Sequence, residues 1–425
     1  MSSTEASRRA AATRALRPGH TLKLLKGGAA LFAALVEAID GARAEVMLET
    51  YIFEFVGAAI AVAEALERAA ARGVVVRVVV DGIGTGEIPA EWRQRWQAAG
   101  VRWRVFNPAR GWRVLLPPRW RRLHRKLCVV DARICFCGGI NIIDDRFDPV
   151  RGTLAEPRFD FSVRVTGPLV EDAHETMTRL WHRVQAARDA RQVDVAGALA
   201  AVKQAARAGT DANDPELNAD DLHPPPGAQG DGVLAGLVLR DNFRFRKRIE
   251  HFYRYAIAQS RDEIEIANAY FVPGVALQRA LQAAAARGVR VTLLLQGRYE
   301  YFMQHHTSRA MYGVMLDAGI EIIEYAPSFL HAKVAVFDGA QGAIATVGSS
   351  NLDPLSLLLA REANVFVNDD AFAAELRAHL RDAAEHSGKR VEQAYYLRRP
   401  FVSRSLAWIA YGAMRFALFA TRNRY

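Results

Sequence analysis

The sequence predicts an α/β protein of two duplicated halves, each a mostly parallel, mixed sheet flanked by helices. Two observations carry this prediction. Apolar strand-like runs alternate with Ala-rich helical segments of about 10–15 residues, which is typical of βαβ units. The same order of segments also occurs twice along the 425 residues, as an internal duplication requires.

The first unit of each half is a strand, a helix and a second strand. In the first half these read EVMLETYIFEF, a helix that ends ALERAAARG, and VVVRVVVDG. In the second half they read EIEIANAYFV, ALQRALQAAAARG and VRVTLLLQG. Gly73 and Gly288 each follow an Arg in the last turn, which indicates a helix stop at the same place in both halves.

Each half continues with another strand and then a hairpin-like pair of strands. The strands read AAGVRWRVF at 98–106 and DAGIEIIEY at 317–325, and the paired segments are 123–142 and 330–352. We therefore expect a tail at 1–20, a first half at 21–190, a Pro- and Asp-rich linker or insertion at 191–232, and a second half at 233–385. Residues 386–425 form a basic, aromatic C-terminal segment that we expect to associate with a membrane.

The charge of the chain points to polyanionic partners. The formal net charge is +10, and only seven of the 56 basic residues are lysines. Arginine binds phosphate through two parallel hydrogen bonds, so nucleic acid and anionic lipid are equally good partners on composition alone. The mean hydropathy of −0.04 excludes a polytopic membrane protein. The N-terminus shows no secretory signal and the three cysteines form no disulfide framework, which favours the cytoplasm.

Two segments favour a membrane surface over nucleic acid. Residues 110–122 and 395–425 place Arg beside Trp, Leu and Phe. The apolar run at about 406–420 is short for a bilayer span and contains Arg415, so an interfacial helix fits it better. The alternative is a C-terminal helix that packs on the body of the protein.

The pattern His-x-Lys-x-x-x-x-Asp occurs once in each half, at equivalent places. Its members are His124, Lys126 and Asp131 in the first half, and His331, Lys333 and Asp338 in the second. On a strand, residues i and i+2 share a face, so each His projects beside its Lys. A Gly-x-x-Asn segment follows each pattern and ends at Asn141 or Asn351.

Two such sets that meet between the halves suit phosphoryl transfer from a phosphodiester. One imidazole attacks phosphorus, and the other protonates the leaving alkoxide and then deprotonates the incoming alcohol. The Lys and Asn side chains neutralise charge on the non-bridging oxygens. This chemistry needs no metal and no cofactor, because the cations belong to the chain.

The paired patterns resemble the signature of the phospholipase D superfamily, and their flanks resemble bacterial cardiolipin synthases of the B type. The segment LHRKLCVVDARICFCGGINI resembles the first motif segment of those enzymes, and ATVGSSNLDPLSLLLAREANVFV resembles the second. The resemblance covers roughly 20–185 and 235–380. It implies two α/β halves with a shared cleft, and transphosphatidylation through a phosphohistidine.

The resemblance also implies roles for further residues. An acidic side chain orients each imidazole in this superfamily, and Asp160 and Glu362 match that role by position. The motif aspartates then become more structural than catalytic, and superfamily habit favours His124 as nucleophile and His331 as acid and base. Ser349 stands where the first half has Gly139, so the two halves of the phosphate site are not equivalent.

The function that the sequence predicts is phosphatidyl transfer at the cytoplasmic face of the cell membrane by a peripheral enzyme. The preferred reaction makes cardiolipin from two phosphatidylglycerol molecules and releases glycerol. The expected partner is an anionic phospholipid membrane, with no nucleic acid. A phospholipase D-type hydrolase of lipid or nucleic acid is the alternative, and a non-catalytic binding protein is disfavoured because both patterns are complete.

Overall fold

A computed structural model describes most of the chain. The described residues are 16–108, 121–148, 151–189, 232–240, 247–299, 302–339, 342–353, 360–397 and 412. The predicted linker, the basic segment at 110–122 and the interfacial helix at 406–420 lie almost wholly outside these ranges. Among the described residues, no helix has both the length and the apolar character needed to cross a bilayer.

The first half contains ten strands and four helices in its described part. The strands are β1 (Arg17–Lys26), β2 (Glu45–Thr50), β3 (Val75–Asp81), β4 (Arg102–Phe106), β5 (Arg122–Leu123), β6 (Lys126–Val130), β7 (Ile134–Gly138), β8 (Phe147–Asp148), β9 (Gly152–Thr153) and β10 (Phe161–Thr166). The helices are α1 (Gly27–Asp40), α2 (Ile60–Ala71), α3 (Ala90–Ala99) and α4 (Leu169–Asp189).

In its described part, the second half repeats this order without counterparts of β5, β8 and β9, and with small additions at its end. The strands are β11 (Val233–Arg240), β12 (Ser260–Asn268), β13 (Arg290–Gln296), β14 (Glu321–Tyr325), β15 (Lys333–Gly339), β16 (Gly342–Gly348), β17 (Ala360–Asn368) and β18 (Gly388–Arg390). The helices are α5 (Arg248–Gln259), α6 (Val275–Ala286), α7 (Phe302–Asp317), α8 (Asp370–Ser387) and α9 (Gln393–Leu397).

One continuous sheet joins the two halves. Its order is β18-β14-β13-β12-β15-β16-β17-β11-β1-β10-β7-β6-β2-β3-β4, and β5 pairs with β17. Strands β1 and β11 meet at the centre, with Arg17 opposite Ala235 and His20 opposite Val233. The order of strands on either side of this pair is the same, so the sheet has an approximate twofold symmetry.

The two-half α/β architecture is confirmed, but the expectation of a mostly parallel sheet is wrong. Parallel pairing is confined to β2-β3-β4, β12-β13-β14 and the short β5–β17 contact. Within each three-strand group, a helix connects each strand to the parallel strand beside it. The motif strands are linked by tight hairpins, β6 to β7 and β15 to β16, and a hairpin requires antiparallel strands.

The second half extends past its predicted boundary at residue 385. Strand β18 pairs with β14, with Tyr325 opposite Gly388. The Tyr396 ring packs beside that of Tyr312, with centroids 5.9 Å apart. Residues 388–397 therefore belong to the fold of the second half rather than to a separate membrane-associating segment.

Candidate active site

The first motif histidine is held by a carboxylate from the opposite half. His124 directly follows β5, and its backbone N–H donates to the Arg361 carbonyl on β17 at 3.1 Å. The next residue of β17 is Glu362. Its Oε1 lies 2.9 Å from His124 Nδ1, and its Oε2 lies 3.1 Å away. The pairing of β5 with β17 therefore aims Glu362 at the imidazole.

The second histidine is held in the same way, with the halves exchanged. His331 Nδ1 lies 2.6 Å from Asp160 Oδ2, and Asp160 belongs to the first half. The carbonyl of Phe159 accepts hydrogen bonds from the backbone N–H groups of His331 at 2.9 Å and Ala332 at 3.0 Å. Each half thus supplies one imidazole and the carboxylate that positions the imidazole of the other.

In this arrangement each carboxylate is bound to Nδ1, and Nε2 is the ring nitrogen left for a substrate. The two carboxylate side chains are buried, whereas the His124 and His331 side chains keep 16% and 22% of their surface exposed. Among the described residues, neither Nε2 atom has a hydrogen-bond partner. With Nδ1 donating to a carboxylate, Nε2 carries the lone pair, which is the state that a nucleophile or a general base needs.

The two motif lysines lie beside the imidazoles. Lys126 Nζ donates to the backbone carbonyl of His124 at 2.6 Å, and Lys333 Nζ donates to that of His331. Both side chains are buried. Burial, and to a lesser extent the charge of Lys333, lowers the pKa of Lys126 to about 7, against the attraction of Glu362. The two imidazoles, two lysines and two carboxylates therefore form one interacting cluster.

The two carboxylates are in different states. Burial raises the pKa of Asp160 to about 7, and Lys333 only partly offsets it. Burial also acts to raise the pKa of Glu362, but His124, Lys126 and the Ser349 hydroxyl together bring it below its ordinary value. Burial lowers the pKa of His124, and burial with the two lysines lowers that of His331 further. Glu362 is therefore the more firmly ionised of the two.

These shifts predict a narrow, bell-shaped pH dependence of kcat/KM centred near pH 7. The carboxylate form of Asp160 is lost as pH falls through about 7, and the ammonium form of Lys126 is lost as pH rises through about 7. Both limbs belong to the coupled cluster rather than to single residues. An anionic substrate stabilises the ammonium, so the alkaline limb of kcat should lie higher than that of kcat/KM. A flat kcat/KM from about pH 5 to about pH 9 would contradict this prediction.

The polar residues that follow the motifs occupy two kinds of position. Asn141 is buried, and its Oδ1 accepts a hydrogen bond from the Ile52 backbone at 3.1 Å. Asn351 is also buried and lies at the corresponding place in the second half. Ser349 donates through Oγ to Glu362 Oε2 at 2.5 Å. Ser349 thus supports the carboxylate that holds His124.

Gly139 explains why the two halves differ at this position. A Cβ atom built on Gly139 would lie 2.3 Å from Asp160 Oδ1. The Asp160 carboxylate therefore fills the space that the Ser349 side chain occupies in the second half. The two halves of the site therefore differ in what supports the acid beside each imidazole. Ser349 donates to Glu362, whereas Asp160, which is one methylene shorter, lies against Gly139.

Replacing Gly139 with Ser is expected to lower kcat by about 10²-fold, because Asp160 must move away from His331. The measurement is phosphatidyl transfer together with thermal unfolding. Gly73→Ala is the control, since Gly73 has a φ of +92° and open space around its Cβ position. That control should lose stability by about 1 kcal/mol and keep its turnover. Full activity of Gly139→Ser would contradict the proposed contact.

The motif aspartates lie away from the imidazoles. Asp131 follows β6, about 16 Å of strand beyond Lys126, and its carboxylate accepts hydrogen bonds from the backbone N–H groups of residues 43–45. Asp338 forms an ion pair with Arg377. The structure therefore places both in structural contacts that fix the ends of the motif strands.

Glu49 and Tyr51, which the sequence places at strand ends near the site, make two contacts that sequence reasoning did not foresee. The Tyr51 and His124 ring centroids are 5.1 Å apart. Behind the motif strand, Arg125 forms a buried ion pair with Glu49, with Nε 2.5 Å from Oε2. The signal was present in the sequence, since Glu49 and Arg125 are charged residues within apolar strands, where charges require a partner.

The family of the chain follows from its similarity to known proteins. A family model described as cardiolipin synthase, phospholipase D-like domain, matches residues 35–156 and 253–383, with one copy in each half. The chain belongs to this family. Cardiolipin synthase B of Escherichia coli K12 is 32% identical over 409 residues, which cover 94% of this chain and 89% of that protein. Cardiolipin synthase A of Pseudomonas fluorescens SBW25 is 31% identical, with coverage of 84% and 67%.

Solved structures agree with the fold of this family. The chain matches phosphatidylserine synthase from Haemophilus influenzae with a TM-score of 0.64 and 11% identity, over 98% of each chain. It also matches polyphosphate kinase from Porphyromonas gingivalis with a TM-score of 0.54 and 16% identity, over 88% of this chain and 49% of that one. The predicted fold class and superfamily are confirmed, and so is the predicted enzyme class, a phosphatidyltransferase.

Proposed function

We propose that this enzyme makes cardiolipin from two phosphatidylglycerol molecules, with release of glycerol, through a phosphohistidine intermediate. The observation that carries the proposal is the pair of His–carboxylate contacts, each built across the two halves. Two equivalent, partly exposed imidazoles serve two consecutive displacements at one phosphorus. The similarity to cardiolipin synthases B and A supports the lipid product.

In the first step, Nε2 of His124 attacks the phosphorus of a phosphatidylglycerol. The bound anionic donor offsets the two lysines that lower the pKa of His331 and so stabilises its protonated form. The bond from phosphorus to the glycerol oxygen breaks, and protonated His331 gives its Nε2 proton to that oxygen, so glycerol leaves. The phosphorylated imidazole is cationic while Nδ1 keeps its proton. The ionised Glu362 stabilises that cation, and this supports His124 as the nucleophile over His331.

In the second step, the neutral His331 accepts the proton of a hydroxyl on the glycerol headgroup of a second phosphatidylglycerol. The hydroxyl oxygen attacks phosphorus, the bond to His124 Nε2 breaks, and cardiolipin leaves. Lys126 and Lys333 neutralise the charge on the non-bridging oxygens, and the amide N–H groups of Asn141 and Asn351 add hydrogen bonds. His331 ends the cycle protonated, ready for another donor.

The same intermediate reacts with water if water reaches it before the alcohol does. The partial exposure of both imidazoles favours a phospholipase D-type hydrolase as the second candidate function. Purified enzyme with headgroup-labelled and acyl-labelled phosphatidylglycerol separates the two. We expect cardiolipin and glycerol in equal amounts. Phosphatidic acid as the only lipid product would make the protein a hydrolase.

We place the enzyme on the cytoplasmic face of the cell membrane as a peripheral protein. The three cysteines are free thiols in the structure, which suits a reducing compartment. The net charge of +10 favours anionic lipid surfaces. Flotation with vesicles of phosphatidylglycerol and phosphatidylcholine should show binding that weakens with salt. Equal binding to pure phosphatidylcholine vesicles would contradict an electrostatic partner.

A further inference from the structure

An arginine-lined groove runs along the outer edge of the first half, between β4 and α4. Its volume is about 940 Å³. Its apolar lining includes Val105, Leu180 and Val184, and its lining includes no acidic residue among those described. Six arginines line it, Arg102, Arg104, Arg121, Arg183, Arg188 and Arg361.

The duplication supplies an internal comparison for this groove. The corresponding face of the second half, between the β12–β14 strands and α8, holds a cavity of about 270 Å³ lined by both charges. There Glu263 pairs with Arg290 at 2.6 Å, and Arg381 pairs with Glu265. Strand β18 also covers the outer edge of β14. The excess of arginine is therefore particular to the first half and is not a requirement of the fold.

The groove combines a fixed cation with an apolar wall. Arg104 donates through Nε to Gln185 Oε1 at 2.6 Å, and its guanidinium lies 4.8 Å from the ring centroid of Trp181. Burial, and then the charge of Arg188, lowers the pKa of Arg104, while Asp189 acts in the opposite sense. A bound anion offsets the repulsion that Arg188 and Arg102 exert on Arg104, and guanidinium groups match the oxygens of phosphate.

We propose that this groove binds the phosphate headgroup of an anionic phospholipid, with an acyl chain along the apolar wall, at a site separate from the two histidines. The segment 109–120, between Pro108 and Arg121 in the sequence, lies outside the described residues. It contains three Arg and no acidic residue, so its charge does not complement the groove. Aliphatic residues outnumber the aromatic Trp103 and Phe106 in the lining, which favours an acyl chain over the bases of a nucleic acid, since those bind by stacking on aromatic rings.

The groove is close to the catalytic strand but faces away from its chemistry. Arg361 and Glu362 are consecutive on β17, and successive side chains on a strand point to opposite faces. The Arg361 guanidinium lies 5.8 Å from the ring centroid of Phe106, on the groove side. Glu362 contacts His124 on the other side. A lipid in the groove thus holds the enzyme on the membrane without occupying the reaction site.

The test uses Arg102→Gln/Arg188→Gln, because both side chains are exposed. The matched control is Arg254→Gln/Arg279→Gln, which removes the same charge from exposed positions of α5 and α6. Vesicles carry a photoactivatable phosphatidylglycerol, and all proteins also carry His124→Ala so that the lipid is not consumed. We expect cross-links on residues 101–108 and 180–188. The groove variant should bind vesicles about 25-fold more weakly, and the control about as well as the parent.

Three results would overturn the proposal. The first is cross-links that avoid both peptides. The second is an equal loss of vesicle binding in the groove variant and the control. The third is displacement of the lipid by an equal concentration of inorganic phosphate or of single-stranded DNA. The proposed lipid site does not depend on the proposed synthesis of cardiolipin.

With His124 restored, the groove variant should convert monodisperse short-chain phosphatidylglycerol at the same rate as the parent enzyme. Failure of cardiolipin synthesis with retained cross-links would count against the proposed function alone.

Discussion

Replacing either His124 or His331 with Ala is expected to lower phosphatidyl transfer by about 10⁴-fold or more. Each imidazole is held through Nδ1 by a carboxylate of the other half, and the two rings are close enough for the charge of His124 to act on the pKa of His331. The two act in one sequence of steps, so the double variant should be no less active than the worse single variant. His386→Ala is the control, since that side chain is 74% exposed on α8.

A substrate with a good leaving group separates the two roles. A phosphatidyl ester of 4-nitrophenol needs no proton donor for departure of the leaving group. His331→Ala should therefore release nitrophenol from this substrate in a burst, whereas His124→Ala should not. A burst from His124→Ala alone would exchange the two roles, and full transfer activity in either variant would contradict a mechanism with two histidines.

Changing the orienting acids to amides, as Glu362→Gln and Asp160→Asn, is expected to lower kcat by about 10²- to 10⁴-fold. The amide keeps the shape of the side chain. It removes the charge that stabilises the imidazolium, and it favours the wrong tautomer because its N–H₂ group cannot accept from Nδ1. Glu362→Gln should cost more than Asp160→Asn, because the pKa of Glu362 is lowered while that of Asp160 is raised to about 7.

Asp131→Asn is the matched control for these variants. It changes a carboxylate within the same motif, but one whose contacts are with the backbone of residues 43–45. We expect a loss of stability of about 1–2 kcal/mol and less than about a threefold change in kcat. Comparable kcat losses in Asp131→Asn and Asp160→Asn would contradict the assignment of the orienting acids. Thermal unfolding separates lost activity from lost folding.

The repeated elements of the fold could be predicted from the sequence, but their arrangement could not. The apolar runs and the shared Ala-Arg-Gly stops correctly placed β2, α2 and β3, and their counterparts β12, α6 and β13. Nothing local indicated that β1 and β11 pair at the centre, because they are separated by more than 200 residues and carry no motif. The strand direction was mispredicted because helical crossovers link only three strands in each half.

In the site, as in the fold, the sequence predicted contacts between residues that are close along the chain but not contacts between distant residues. The i, i+2 spacing placed Lys126 beside His124, and the structure shows them in contact through the His124 carbonyl. The exchange of carboxylates between halves depends on the pairing of β5 with β17 and of Phe159 with Leu330. Such pairings follow from tertiary packing, so the spacing of residues along the chain does not reveal them.

Rapid quenching of the enzyme with phosphatidylglycerol labelled at phosphorus tests the proposed chemistry most directly. We predict an acid-labile, alkali-stable phosphorus label on the peptide that contains His124. The label should accumulate in His331→Ala with the nitrophenyl ester, and it should be absent from His124→Ala. A full yield of cardiolipin with no labelled histidine at any quench time would show direct transfer between the two lipids and contradict the two-step mechanism.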